Sequence, residues 1–192
     1  MRRVTLVLGC VLLLVLPGSA RPQEYRAKGP VQTLPINHGG KIETRYDGFN
    51  YETVMSLRKM KVTCDGVKDN FKDECTSMVV SLHCPGVQVS YVRYVTLQLI
   101  FESKEWDARH PLDQRELSAV TDTETLKLGR MQLVSQNVDT LTAETLEAKL
   151  SYADFKKITM SQVVEIQVGK SRFQLREKNI AALRDLNNRV NP

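Results

Sequence analysis

The sequence predicts an α+β domain, mainly β: an antiparallel sheet or sandwich with a short helix and a C-terminal amphipathic helix packed on it. Three observations carry this. Apolar and polar residues alternate with period two through most of the chain from Lys41 to Leu150. One alternating run, Val87 to Phe101, is long enough to anchor a sheet. The last stretch, Val163 to Val190, reads as strand, Gly169-Lys170-Ser171 turn, strand and closing helix.

The N-terminus is set apart from that domain. Met1-Arg2-Arg3 is a positive start, and Val4 to Leu16 is an apolar run of about 13 residues, too short for the roughly 20 that cross a bilayer as a helix. Gly18 and Ala20 are the small residues of a cleavage site after position 20, so residues 1–20 are expected to be a signal peptide. Residues 21–40 are rich in Pro and Gly, have no sustained period, and read as an extended leader. Residues 41–192 are then one β-rich domain, a size that suits a single core.

Within it, Lys41–Tyr46 is a short strand, Asp47-Gly48 a turn and Tyr51–Leu57 the next strand, with Thr53, Met55 and Leu57 sharing one face. Lys59–Thr63 alternates basic and apolar residues, which implies a sheet covered on one side. Residues 76–83 form another strand, and Cys84-Pro85-Gly86 a turn into Val87–Phe101. That run exceeds the usual strand length of about 5–6 residues and is expected to bend or break near Tyr91–Tyr94. Glu102–Gln114 is polar and reads as a loop. Glu116–Thr121 and Glu124–Leu128 form a hairpin; a Gly129-Arg130 turn leads to a strand at Met131–Ser135, and Ala143–Leu150 reads as a further strand, with a helix as the alternative. Ser151 caps a short helix ending by Met160, with Phe155 and Ile158 inward. In the closing helix Ile180, Leu183, Leu186 or Asn187, and Val190 recur at helical spacing.

The formal charge is +5, and removing Arg2 and Arg3 leaves +3. Basic and acidic side chains are spread along the chain rather than clustered, which is not a nucleic-acid footprint. Three cysteines follow the signal peptide: Cys64, Cys75 and Cys84. Cys75 and Cys84 sit at opposite ends of one strand, about 30 Å apart and beyond disulfide reach. Antiparallel pairing of Met60–Cys64 with that strand would bring Cys64 beside Cys75, so a Cys64–Cys75 disulfide is the favoured pairing; Cys64–Cys84 and no disulfide are the alternatives.

Motifs of chemistry are missing. There is no nucleophile elbow, zinc-protease helix, Cys-x-x-Cys pair or calcium loop, and Gly169-Lys170-Ser171 lacks the upstream glycine and long following helix of a phosphate-binding loop. His83, Cys84, Asp107 and His110 would make a metal or Cys–His site only if their loops met, and no ligand spacing supports it. Trp106, alone among charged residues, is the best candidate ligand contact, with His110 beside it; Tyr46, Phe49 and Tyr51 are a second aromatic group.

Phe101-Glu-Ser, Leu128-Gly129, Glu144-Thr-Leu146, Phe155-Lys-Lys-Ile158, Val164-Glu-Ile-Gln-Val-Gly169, Phe173-Gln-Leu175 and Ala182-Leu-Arg-Asp-Leu186 together make a pattern of core and turn positions. In that pattern the chain resembles a group of uncharacterised exported bacterial proteins. The resemblance implies a shared fold and export, and brings no activity or site residues. Two positions depart from its pattern: Asp122-Thr123 where a Gly would suit a tight turn, implying a longer loop, and Arg176 where a Ser or Thr cap would suit the last helix, implying a frayed start.

The functional expectation is an exported, non-catalytic binding or scaffolding domain, secreted or periplasmic. Its partner would be an envelope protein or a glycan, with no cofactor, metal, nucleic acid or membrane span. The alternatives are a secreted hydrolase or metal-binding protein, and a subunit of an envelope assembly with an uncovered edge strand near 87–101.

Overall fold

The computed structural model describes residues 37–64, 75–103, 110–138 and 142–190. The fold is α+β and mainly β, as the sequence predicts: among the described residues there are two antiparallel sheets and two α-helices, the second of them C-terminal. The strands are β1 (Ile42–Asp47), β2 (Glu52–Lys61), β3 (Thr63–Cys64), β4 (Cys75–Pro85), β5 (Tyr94–Ser103), β6 (Glu116–Thr121), β7 (Thr125–Arg130), β8 (Gln132–Val138), β9 (Thr142–Leu150), β10 (Val164–Val168) and β11 (Ser171–Gln174). The helices are α1 (Tyr152–Met160) and α2 (Glu177–Asn188). The larger sheet runs β1-β2-β4-β5-β9-β8 and the smaller β3-β11-β10-β6-β7. No helix among the described residues is long and apolar enough to cross a membrane.

Alternation decides which side of the larger sheet is covered. Leu57, Val80, Leu97 and Ala148 stand opposite one another across β2, β4, β5 and β9, and all are buried. Their row belongs to the same core as Ile166 and Phe173 of the smaller sheet and Phe155, Ile158, Ile180 and Leu183 of the helices. Each such side chain contributes about 1.5–3 kcal/mol on burial. The other face of the larger sheet carries polar pairs, among them Ser56 with Ser81 and Gln98 with Glu147.

Two of the passages between the sheets turn on a single buried residue. Val62, whose N–H donates to the Thr76 carbonyl at 3.0 Å, ends the run with β4, and Thr63-Cys64 pairs with β11 instead. Met131, fully buried and bonded through its N–H to the Arg115 carbonyl, lies between β7 of one sheet and β8 of the other. The expected Gly129-Arg130 turn is therefore inside β7, where Gly129 takes φ +91° beside the irregular register at Leu117/Ser118.

Four other expectations change. The Val87–Phe101 run is strand only from Tyr94; residues 86–93 are a loop, because β4 ends at Pro85 and the Arg93 N–H already bonds to the His83 carbonyl. β5 also lies between β4 and β9, so no uncovered edge exists there. The start of α2 is held rather than frayed: Asn179, fully buried, accepts from the Arg176 N–H at 3.0 Å and donates to the Lys61 carbonyl at 3.1 Å. His38, read as leader, is tied to Asp185 of α2 at 3.2 Å, and a Cβ on Gly40 would stand 2.8 Å from Leu57 and 3.3 Å from Ala182.

Other local readings stand. Ser151 Oγ accepts from the Asp154 N–H at 3.0 Å and caps α1. Between β6 and β7 the loop is three residues long, Asp122–Glu124, closed by the Thr121 hydroxyl. Arg184 of α2 donates to the carbonyls of Thr159 and Ser161 at the end of α1, placing a cation on that helix's negative pole.

Candidate binding surface

One end of the larger sheet carries a group of exposed aromatic and apolar residues. The β1–β2 turn and the β4–β5 loop meet there, because Glu52 pairs with Pro85 and the Gly86 N–H donates to the Tyr51 carbonyl at 2.8 Å. The Thr53 hydroxyl reaches the carbonyls of Gly86 and Val87 at 2.8 and 3.1 Å, a second tie between the two segments. Phe49 is 92% exposed, Tyr51 73%, Val87 71% and Tyr91 58%, and Tyr46 is also exposed.

The turn that presents these rings is built by Asp47. Its carboxylate accepts from the backbone N–H groups of Phe49 and Asn50 and from the Asn50 side chain, at 3.0–3.3 Å. Those hydrogen bonds, that from the Asn50 side chain foremost, hold the Asp47 carboxyl below its ordinary range. Tyr51 then takes φ +51°, alone among the described non-glycine residues in the left-handed region. A bulky ring there stores backbone strain that Asn or Gly would avoid.

Beneath the loops the sheet is locked by polar groups. His83 Nδ1 is 2.7 Å from Glu52 and Nε2 is 3.2 Å from the Thr96 hydroxyl, while its ring stacks on Tyr94 at 4.2 Å and 15°. The Lys149 ammonium lies 4.3 Å from the centre of the Tyr94 ring. Burial, with the Glu52 charge second, pushes both the Tyr94 hydroxyl and the Cys84 thiol up. Cys84 is buried and free, so it stays a thiol and is a poor nucleophile.

His110 is not an open ligand contact. Its ring is buried against Phe101 at 4.2 Å, with Nδ1 2.8 Å from Glu144 and Nε2 3.1 Å from the Ser171 hydroxyl. His83 pairs with Tyr94 and His110 packs on Phe101, positions about 23 Å apart along β5. The two histidines therefore do not converge, and the proposed grouping of His83, Cys84 and His110 is not formed. Among the described residues no cluster of three or more His, Cys, Asp or Glu is placed to hold a metal. Trp106 and Asp107 lie outside the described residues, as do the side chains of Cys64 and Cys75; among those described there is no disulfide. The expected pairing of Met60–Cys64 with β4 holds only as far as Val62, after which the backbone of Thr63-Cys64 turns to β11.

Sequence reasoning placed Val87 and Tyr91 in a strand and overlooked Glu52, Glu144 and Ser171. The polar Gln88 and Ser90 after Pro85-Gly86, and Arg93 breaking the apolar row, were the available signal for a loop. No family model, curated protein or solved structure matches the chain.

Proposed function

We propose that the chain is an exported, non-catalytic binding domain of the bacterial envelope or extracellular space, with the aromatic end of the larger sheet as its contact surface. The observation that supports this most is the exposure of Phe49, Tyr51, Val87 and Tyr91 on two loops tied together by hydrogen bonds, with Tyr46 exposed at the end of β1 beside them. Rigid aromatic side chains on short loops offer large contact area at low entropic cost, and Tyr with Ser, Asn and Gly is the composition of adaptable binding loops. The test is retention of the exported chain on a crude envelope fraction. Phe49→Ser and Tyr51→Asn should release it without lowering the thermal melt; equal retention of both variants would sink the reading.

A second reading, a secreted hydrolase, has one observation in its favour. Glu144, His110 and Ser171 form a carboxylate–imidazole–hydroxyl chain with the spacing of an activated nucleophile. With Glu144 ionised, Nδ1 carries the proton it donates, and a neutral ring offers Nε2 to the Ser171 O–H. The same chain of groups recurs at Glu52, His83 and Thr96, where the hydroxyl is buried in mid-strand. Satisfying a buried imidazole accounts for both, so binding is preferred. Labelling of wild type, but not Ser171→Ala, by a fluorophosphonate would reverse that preference.

A further inference from the structure

We infer that the partner of the aromatic end is the interfacial region of a lipid bilayer, with Phe49 entering the acyl boundary and the tyrosines at headgroup level. This rests on the binding reading above and names its partner class.

Shape argues first. A phenylalanine 92% exposed at the tip of a turn stands on a convex point, whereas sites for sugars and small ligands are concave. Gly48 and Gly86 border open space: a Cβ on Gly48 would meet only the Tyr46 ring, at 3.8 Å, and one on Gly86 nothing within 4 Å. The exposed rings lie on the β1–β2 turn, the last residues of β1 and the β4–β5 loop, at one end of one sheet, so a single surface can meet them together.

Chemistry argues in the same direction. Phe and Val are the residues that enter the acyl boundary, and Tyr, with an apolar ring and a polar hydroxyl, suits the water–lipid boundary. The charges left outward are mainly cationic. Arg45 and Arg93 are exposed and outnumber the one outward acid, Asp47, whose carboxylate is hydrogen-bonded within its own turn; Glu52 is buried against His83. Guanidinium groups suit lipid phosphates. The turn is also ordered in advance by the Asp47 bonds and the Thr53 tie, which lowers the entropic cost of docking.

The experiment takes the exported chain, purified after signal-peptide removal is verified by mass. It is sedimented with vesicles of phosphatidylethanolamine and phosphatidylglycerol, with phosphatidylcholine vesicles, and with lipid-free peptidoglycan. Wild type should bind the anionic vesicles best, and Phe49→Ser should lower the apparent affinity about tenfold. Phe49→Trp should keep binding, and the indole emission it adds over wild type should shift to the blue and be quenched by brominated acyl chains. With Phe49 almost wholly in solvent, a thermal melt equal to wild type is the expected control. Absent vesicle binding, or an added emission in Phe49→Trp that vesicles leave unchanged, overturns the membrane inference. If the ring variants then lose retention on lipid-free peptidoglycan, the binding reading survives with a different partner. If they match wild type on every surface, both fall.

Discussion

The C-terminal unit β10–β11–α2 and the aromatic end of the larger sheet treat apolar residues in opposite ways. In the first, Val164, Ile166, Phe173, Ile180, Leu183 and Leu186 are all buried. In the second, Phe49, Tyr51, Val87 and Tyr91 stand in solvent although the turn beneath them is held by the Asp47 hydrogen bonds. The difference teaches that exposure at the sheet end is not a failure to build a core. A chain that packs its last strands and helix this completely has placed its exposed rings on loops where no packing demand explains them. Tyr51 sharpens the point, since its ring is kept at a backbone angle that strains it.

The largest expected effect breaks the packed side of the comparison. Leu183→Asp puts an unpaired charge at a site that is 2% exposed and should cost about 3–5 kcal/mol, enough to abolish a cooperative thermal transition. A normal melt would refute the role given to α2. Next is Gly169→Ala. The new Cβ would lie 2.3 Å from the Gln114 carbonyl oxygen at φ +55°, and chemical denaturation should report a loss of about 1–3 kcal/mol. That close approach gives the Gly169-Lys170-Ser171 turn its structural reason; unchanged stability would remove it.

Smaller changes probe the remaining sides. Ser77 is fully buried and its hydroxyl has no hydrogen-bond partner among the described residues, so Ser77→Ala should raise stability by about 1 kcal/mol in urea titration. Tyr51→Asn should leave stability unchanged or raise it by up to about 1 kcal/mol, as the strained angle is relieved, while weakening envelope retention, which separates the aromatic end from the fold. The smallest effect concerns acid. Burial pushes Asp185 up, but the hydrogen bonds from Arg189 and His38 outweigh it and hold its carboxyl below the ordinary 3.8. A folded pKa below the unfolded one adds stability above the unfolded value and loses it as pH falls through the folded one. Stability of Asp185→Asn should therefore vary less with pH below about 4 than that of wild type; parallel curves would dismiss the Asp185 contribution.

How much could be read from the residues depended on the range of the interaction. Ser151 with Asp154, and the β10–β11 hairpin with α2, were legible because their partners lie within a few residues or one turn. Asn179 was not, although it replaces the missing cap at Arg176, because its second bond goes to Lys61. Val87–Arg93 alternates like a strand, and only the end of β4 at Pro85 makes it a loop. His110 sits in a polar stretch that reads as surface. Its burial comes from Glu144 and Ser171, 34 and 61 residues away.

By itself the sequence determined the fold class, most strand and helix positions and the faces they bury. Period and capping are written in neighbouring residues, and burial of an alternating face follows from the hydrophobic effect. The tertiary structure decided the division into two sheets at Val62 and Met131, the closure of both histidines into hydrogen-bonded chains, and the meeting of two aromatic loops at one sheet end. Each of these depends on which strands pair. Pairing is set by contacts distant in sequence, whose closure no local pattern encodes.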